Sequence, residues 1–125
     1  MSIELAEILG AKVHGILVTE AELHYRGSLT LDEAIMEAAG WLEYEKVLIV
    51  NNANGERLET YLIKGARNSG VCCLNGAAAH KGKKGDELIV MTFIMVEREV
   101  ARQRKPLRVF IDAENNNAIE RIAND

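Results

Sequence analysis

Seven short runs rich in β-forming residues follow one another along this chain, with one helix-length pattern among them. They fall at residues 12–19, 23–30, 46–51, 57–63, 71–74, 88–96 and 106–111. A doubly wound parallel sheet needs a helix after nearly every strand, so this succession predicts a mainly-β fold, a small β-barrel with short helices. The strongest local signal is Asn54-Gly55, lying between two of the runs. Both residues tolerate positive φ, which predicts a β-hairpin there. The helix, residues 33–39, is bounded by Asp32 at the N-cap position and by Gly40 as its stop. Gly27 interrupts the second run, and residues 75–80 read as a tight turn entering a single helical turn. Residues 112–125, with three successive asparagines, read as a mobile tail or a weak terminal helix.

At 125 residues the chain has the length of one domain and buries enough surface to fold without a disulfide or metal. No apolar run approaches the roughly 20 residues of a membrane span. Glu4 and Glu7 stand where a secretory signal would be basic, so the expected location is the cytoplasm. A net charge of −4 argues against a general electrostatic hold on nucleic acid or anionic lipid. Any cationic site must be local. The adjacent Cys72 and Cys73 would point to opposite faces of a strand and could be bridged only with severe strain, so they read as buried free thiols in a reducing compartment.

Several chemistries can be set aside. The chain has no phosphate-binding glycine loop, no dinucleotide fingerprint and no spaced Cys or His pair suited to zinc. His14, His24 and His80 stand at unrelated spacings, so no metal site is expected. The basic loop at residues 80–85 could hold an anion, although charged turns between strands are ordinarily just solvated. Gly27-Ser28 is more informative, because a glycine in a strand-like context marks a bulge or a place where something approaches the backbone. Taken alone it reads as a turn.

Its meaning changes beside three other segments: Lys12-Val13-His14, Asn54-Gly55-Glu56-Arg57-Leu58-Glu59-Thr60-Tyr61, and Leu74-Asn75-Gly76-Ala77-Ala78-Ala79-His80. Together with Tyr25-Arg26-Gly27-Ser28 these resemble the pyruvoyl-dependent aspartate 1-decarboxylase family, from about residue 12 to residue 96. The resemblance implies a double-psi β-barrel assembled as a homotetramer. It also implies one domain, residues 1–125, that cleaves itself between Gly27 and Ser28. Ser28 becomes a covalent pyruvoyl group, which forms a Schiff base with L-aspartate and accepts electrons as CO2 leaves, giving β-alanine for pantothenate synthesis.

Residue roles follow from the same resemblance. Ser28 Oγ attacks the Gly27 carbonyl, and glycine suits that position because no Cβ blocks the approach. Thr60 supplies a hydroxyl to the resulting oxyanion, with the Asn75 amide as a second donor. Arg57 and Lys12 are the cations for the substrate's two carboxylates, and Tyr61 is the proton donor to carbon. Gly76, Ala77 and Ala78 bring backbone N–H groups close to the carbonyl or substrate. His14 and Tyr25 lie near the site with roles left open, and Trp41 belongs to the core. Maturation is either spontaneous or assisted by a helper protein. The rival expectation is a non-catalytic β-barrel that binds a partner or a small anion and is never processed.

Overall fold

A computed structural model describes residues 3–124. The fold is mainly β. Strand β1 (Leu5–Leu17) leads through Val18-Thr19 into β2 (Glu20–Glu22), and β3 (Ser28–Asp32) runs directly into helix α1 (Glu33–Ala39). Asp32 caps α1 by accepting the Ala34 N–H at 2.8 Å, and Gly40 closes it in the left-handed region, as the sequence predicts. The expected hairpin is formed by β4 (Lys46–Asn51) and β5 (Arg57–Gly65), with Gly55 at φ +76°. Strand β6 (Cys72–Asn75) enters a 3-10 turn, Gly76–Lys81, before β7 (Glu87–Glu97), the short helix α2 (Arg98–Ala101) and β8 (Leu107–Asp112).

Two expectations need correction. Residues 23–30 are not one extended piece. β2 ends at Glu22 and β3 begins at Ser28, and the residues between form a turn and loop crossing from one side of β6 to the other. The C-terminal segment is not a mobile tail, and its helical part is a short 3-10 turn, Ala113–Asn115. Asn116 and Asn117, at φ +53° and +55°, turn the chain back so that β9 (Ala118–Ala123) pairs antiparallel with β8. Asparagine tolerates that left-handed conformation, so the triple asparagine builds a turn where the sequence suggested disorder. Asp125 of that segment lies outside the described residues.

Hydrogen-bonded neighbours follow the order β2-β6-β3-β5-β4-β7-β1-β8-β9. This ladder does not close on itself, yet the chain cannot be flat. β2 and β1 stand six places apart, roughly 29 Å in a flat sheet at ~4.8 Å per strand. They are joined by Val18-Thr19 alone, and three peptide steps span at most about 11 Å. The sheet must therefore roll up. The seam is visible: Thr19 N–H donates to the Cys72 carbonyl at 2.8 Å, and the Cys72 N–H donates to Thr19 Oγ1 at 2.9 Å. This agrees with the small barrel expected.

Pleating sorts the strand residues to two faces. Val13, Leu29, Leu31, Val47, Ile49, Leu62, Cys72, Leu74, Leu88, Val90 and Val109 all point inward and form one core. Trp41 joins it and donates from Nε1 to Thr92 Oγ1 at 2.9 Å. Cys72 and Cys73 are free and buried, and burial pushes the Cys72 thiol up to about 12. Among the described residues no helix is long and apolar enough to cross a membrane.

Candidate functional site

The site grows from the way β2, β3 and β6 are joined. β6 lies between the other two, parallel to β2 and antiparallel to β3, with Asn75 opposite both Glu22 and Ser28. The loop from β2 to β3 therefore passes over the end of β6, above Gly76. A Cβ on Gly76 would lie 2.6 Å from Gly27 N and 2.7 Å from both Gly27 Cα and Tyr25 O. Gly76 also has φ +63°, a second reason for glycine there. The two glycines named from sequence are thus in backbone contact. Gly27 is open on its other side, where an added Cβ would meet nothing within 4 Å.

Ser28 is completely buried at the start of β3. Its hydroxyl donates to the Arg26 carbonyl at 3.0 Å and accepts from Asn75 Nδ2 at 3.0 Å. Asn75 Nδ2 also donates to Thr30 Oγ1 at 2.8 Å, and Cys73 Sγ donates to Asn75 Oδ1 at 3.1 Å. Thr30 and Cys73 are members of the site that the sequence reading missed. Period-two alternation could have found them, since each lies two residues from a predicted site residue on its own strand. Burial pushes the Cys73 thiol up, and the Glu20 and Glu22 carboxylates add to this.

The parallel register begins with Leu29 beside Leu62, one residue past Ser28 on β3 and Tyr61 on β5. Both turn away from the core face that Leu29 and Leu62 share. No bulge interrupts β5 from Arg57 to Tyr61, so Thr60 faces the opposite way, to the side of Leu62. The structure thus sets Tyr61 on the face of Ser28, and no hydrogen bond joins Thr60 to Gly27 or Ser28 among the described residues. Tyr61 also meets the Tyr44 ring, with centroids 6.3 Å apart.

Arg57 lies at the start of β5, on the same outer face as Tyr61. Lys12 lies on that face of β1, opposite Met91 and Arg108, and His14 follows it with its ring 5.9 Å from that of Phe110. Among the described residues neither Lys12 nor Arg57 has an ion-pair partner. Other cations are committed: Lys46 to Glu59 at 2.6 Å, Arg67 to Glu37 at 2.6 Å and Lys81 to Glu56 at 2.9 Å. The basic loop at residues 80–85 is already balanced by that Lys81 pair and by Asp86, which accepts the Lys83 N–H at 3.0 Å. Ala77 is exposed and Ala78 buried in the 3-10 turn.

Comparison with known proteins bears on this arrangement. The aspartate decarboxylase family model matches residues 4–118. The chain is 53% identical over 113 residues to the aspartate 1-decarboxylase of Parabacteroides distasonis, covering 90% of this chain and 97% of that protein. It is 51% identical over 120 residues to the aspartate 1-decarboxylase of Caldicellulosiruptor saccharolyticus, covering 96% and 92%. With the protein of the same name from Christiangramia forsetii it shares 55% identity over 109 residues, covering 87% and 94%.

Proposed function

The chain belongs to the aspartate decarboxylase family and catalyses decarboxylation of L-aspartate in pantothenate synthesis; from that premise we propose that the reaction runs on a pyruvoyl group made from its own Ser28. The observation that supports this is the Ser28 hydroxyl, buried yet held between the Asn75 amide and the Arg26 carbonyl, next to a glycine open on one side. The residues present fit the group. The unprocessed binding barrel is not favoured, since the family match spans nearly the whole chain.

Maturation is a change in the chain itself. Ser28 Oγ attacks the Gly27 carbonyl, the Gly27–Ser28 C–N bond breaks, and the hydroxyl proton ends on the Ser28 nitrogen, leaving an ester. Asn75, already bonded to Oγ, stabilises the charge that develops there; the resemblance also implies Thr60 as a donor to the Gly27 oxyanion, although its side chain faces the side of Leu62. Elimination across Cα and Cβ of Ser28 then releases residues 1–27 with a terminal carboxylate. Water converts the dehydroalanine that remains into a ketone, and ammonia leaves.

The pyruvoyl group supplies an electron sink for the pair released when CO2 departs. The chain's own residues do the rest. Arg57 and Lys12 hold the two substrate carboxylates, and the Arg57 fork matches a carboxylate in two bonds. Tyr61, on the same outer face as Ser28, returns a proton to carbon. Gly76, Ala77 and Ala78 offer backbone N–H groups at the loop crossing. We read the enzyme as a cytoplasmic homotetramer without a metal. Exposed Phe93 and Met95 on β7 and Leu5 on β1 supply apolar surface for assembly.

Intact mass under denaturing conditions tests the proposal. Two chains are expected, the larger starting at position 28 without a free amine. Ser28→Ala should stay a single folded chain and make no β-alanine. A Ser28→Ala protein that still cleaves at this bond or decarboxylates aspartate would overturn the assignment.

A further inference from the structure

The effect of Asn75 on Ser28 depends on which end of its amide faces the hydroxyl. The nitrogen does, and every polar atom of the side chain is engaged. Nδ2 has two hydrogens, one for Ser28 Oγ at 3.0 Å and one for Thr30 Oγ1 at 2.8 Å. Oδ1 accepts from Cys73 Sγ at 3.1 Å. The antiparallel register pairs Ser28 with Asn75 and Thr30 with Cys73, so the four side chains form one square on the outer face.

Turning the amide over would set Oδ1 against Ser28, whose own hydrogen is committed to the Arg26 carbonyl. It would also set the amide hydrogens against the thiol hydrogen. Thr30 alone cannot prevent this, because a hydroxyl accepts or donates equally well. Cys73 can. Its burial, with Glu20 and Glu22 close by, keeps it a protonated thiol and therefore a donor toward Oδ1.

Resting on the reading that Ser28 matures, the geometry points to Cys73 as a positioning residue: its thiol, seconded by Thr30, locks the Asn75 amide with its N–H toward Ser28 Oγ and so sets the rate of the acyl shift. As the Oγ proton leaves, negative charge builds on Oγ, and a fixed N–H at 3.0 Å stabilises it without reorganisation. Cys73 touches neither reacting atom. It acts through Asn75.

The test is a time course of cleavage on freshly purified proenzyme, followed by denaturing mass spectrometry, with melting temperature measured alongside. Cys73→Val is somewhat larger but apolar and removes the donor, and should slow cleavage about 10-fold at a nearly unchanged melting temperature. Cys73→Ser restores a donor that can also accept, so it should cleave clearly faster than Cys73→Val but more slowly than the parent. In an Asn75→Ala background Cys73→Val should add less than about a twofold effect, because the group it positions is gone. Equal rates for Val and Ser at position 73 would overturn the inference, and so would a full additional loss in the Asn75→Ala background. If Asn75→Ala alone abolishes cleavage, the Val-against-Ser contrast decides. Cleavage in the parent that Cys73→Val leaves unchanged removes this inference only; a parent that never cleaves removes the maturation reading with it.

Discussion

Asn75 and Asn117 are equally buried, each 3% exposed, and each has both polar atoms of its amide engaged, yet they do different work. Asn117 bonds only to backbone: Oδ1 accepts from Leu17 N–H at 3.0 Å, and Nδ2 donates to the carbonyls of Leu17 and Gly70, both at 2.9 Å. It ties three separate stretches of chain into one corner. Asn75 bonds only to side chains, and one of them is Ser28, the proposed nucleophile. An amide engaged with the backbone fixes where segments meet. An amide engaged with side chains is set beside hydroxyls that can change chemically while the strands stay paired. The two corners should therefore fail differently when disturbed.

The largest effect is expected where the crossing loop touches β6. Gly76→Ala would drive a Cβ into the Gly27 backbone at an already left-handed position. Neither neighbour is a flexible side-chain end, so the Gly27-Ser28 segment must shift. Misplacement on the scale of an ångström should slow cleavage by about 10²-fold, read as cleaved fraction against time. A Gly76→Ala chain that matures at the parent rate would show that this contact does not hold the reacting bond.

Thr60 and Tyr61 sharpen the contrast, because the pleat sends them to opposite faces. Thr60→Val should slow maturation by about 10²-fold if its hydroxyl serves the Gly27 oxyanion. Tyr61→Phe should split normally but lose turnover by about 10²-fold. Cleaved fraction and β-alanine formation, measured on one preparation of each, separate the two duties. Normal maturation of Thr60→Val would leave the processing corner to Asn75.

Much of this was legible in the sequence, for local reasons. Asn54-Gly55 and the Asp32-to-Gly40 boundaries announce their elements because each depends on the conformational habits of one or two residues. Gly27, Ser28 and Asn75 stood out only through the resemblance of four segments to one family, since Gly27-Ser28 alone reads as a turn. The β9 strand was not, since the asparagines before it look like a breaker until Asn117 is seen fastened to Leu17 and Gly70. Those contacts span 100 and 47 residues, beyond any local pattern. Thr30 and Cys73 escaped notice although each lies two residues from a site residue on its own strand. A strand threonine and a buried cysteine are ordinary until the β3–β6 pairing sets Thr30 across from Cys73 and both side chains bond the Asn75 amide.

Asn117→Ala should show the architectural failure. Three hydrogen bonds are lost, and the unpaired Leu17 and Gly70 groups cost about 2 kcal/mol or more. For a chain of this size that lowers the melting temperature by roughly 5–10 °C. Well below the transition, cleavage at Gly27-Ser28 should proceed as in the parent. A slowed time course in a fully folded sample would mean that the two corners are coupled.

The smallest effect is a matter of charge at a third buried amide, Asn51, which donates to Asp86 Oδ2 at 2.9 Å and to the Lys81 carbonyl at 3.0 Å. The Asn51 bond, and then the Lys83 N–H, hold the Asp86 carboxyl below the usual carboxylate range, against the opposing effect of burial. A carboxylate whose pKa is lower folded than unfolded stabilises the fold above its unfolded value of ~3.9, and that stability is lost as pH falls through the lower folded value. The parent should therefore lose melting temperature below about pH 4 partly through Asp86. Asp86→Asn keeps an oxygen for Asn51 but has no charge to lose. It should melt slightly below the parent at pH 7, and the gap should narrow toward pH 3. Parallel melting curves across that range would show that ionisation of Asp86 adds nothing to this node. Cleavage should be unaffected, because the Asn51 corner, like that of Asn117, holds loops in place without touching Ser28.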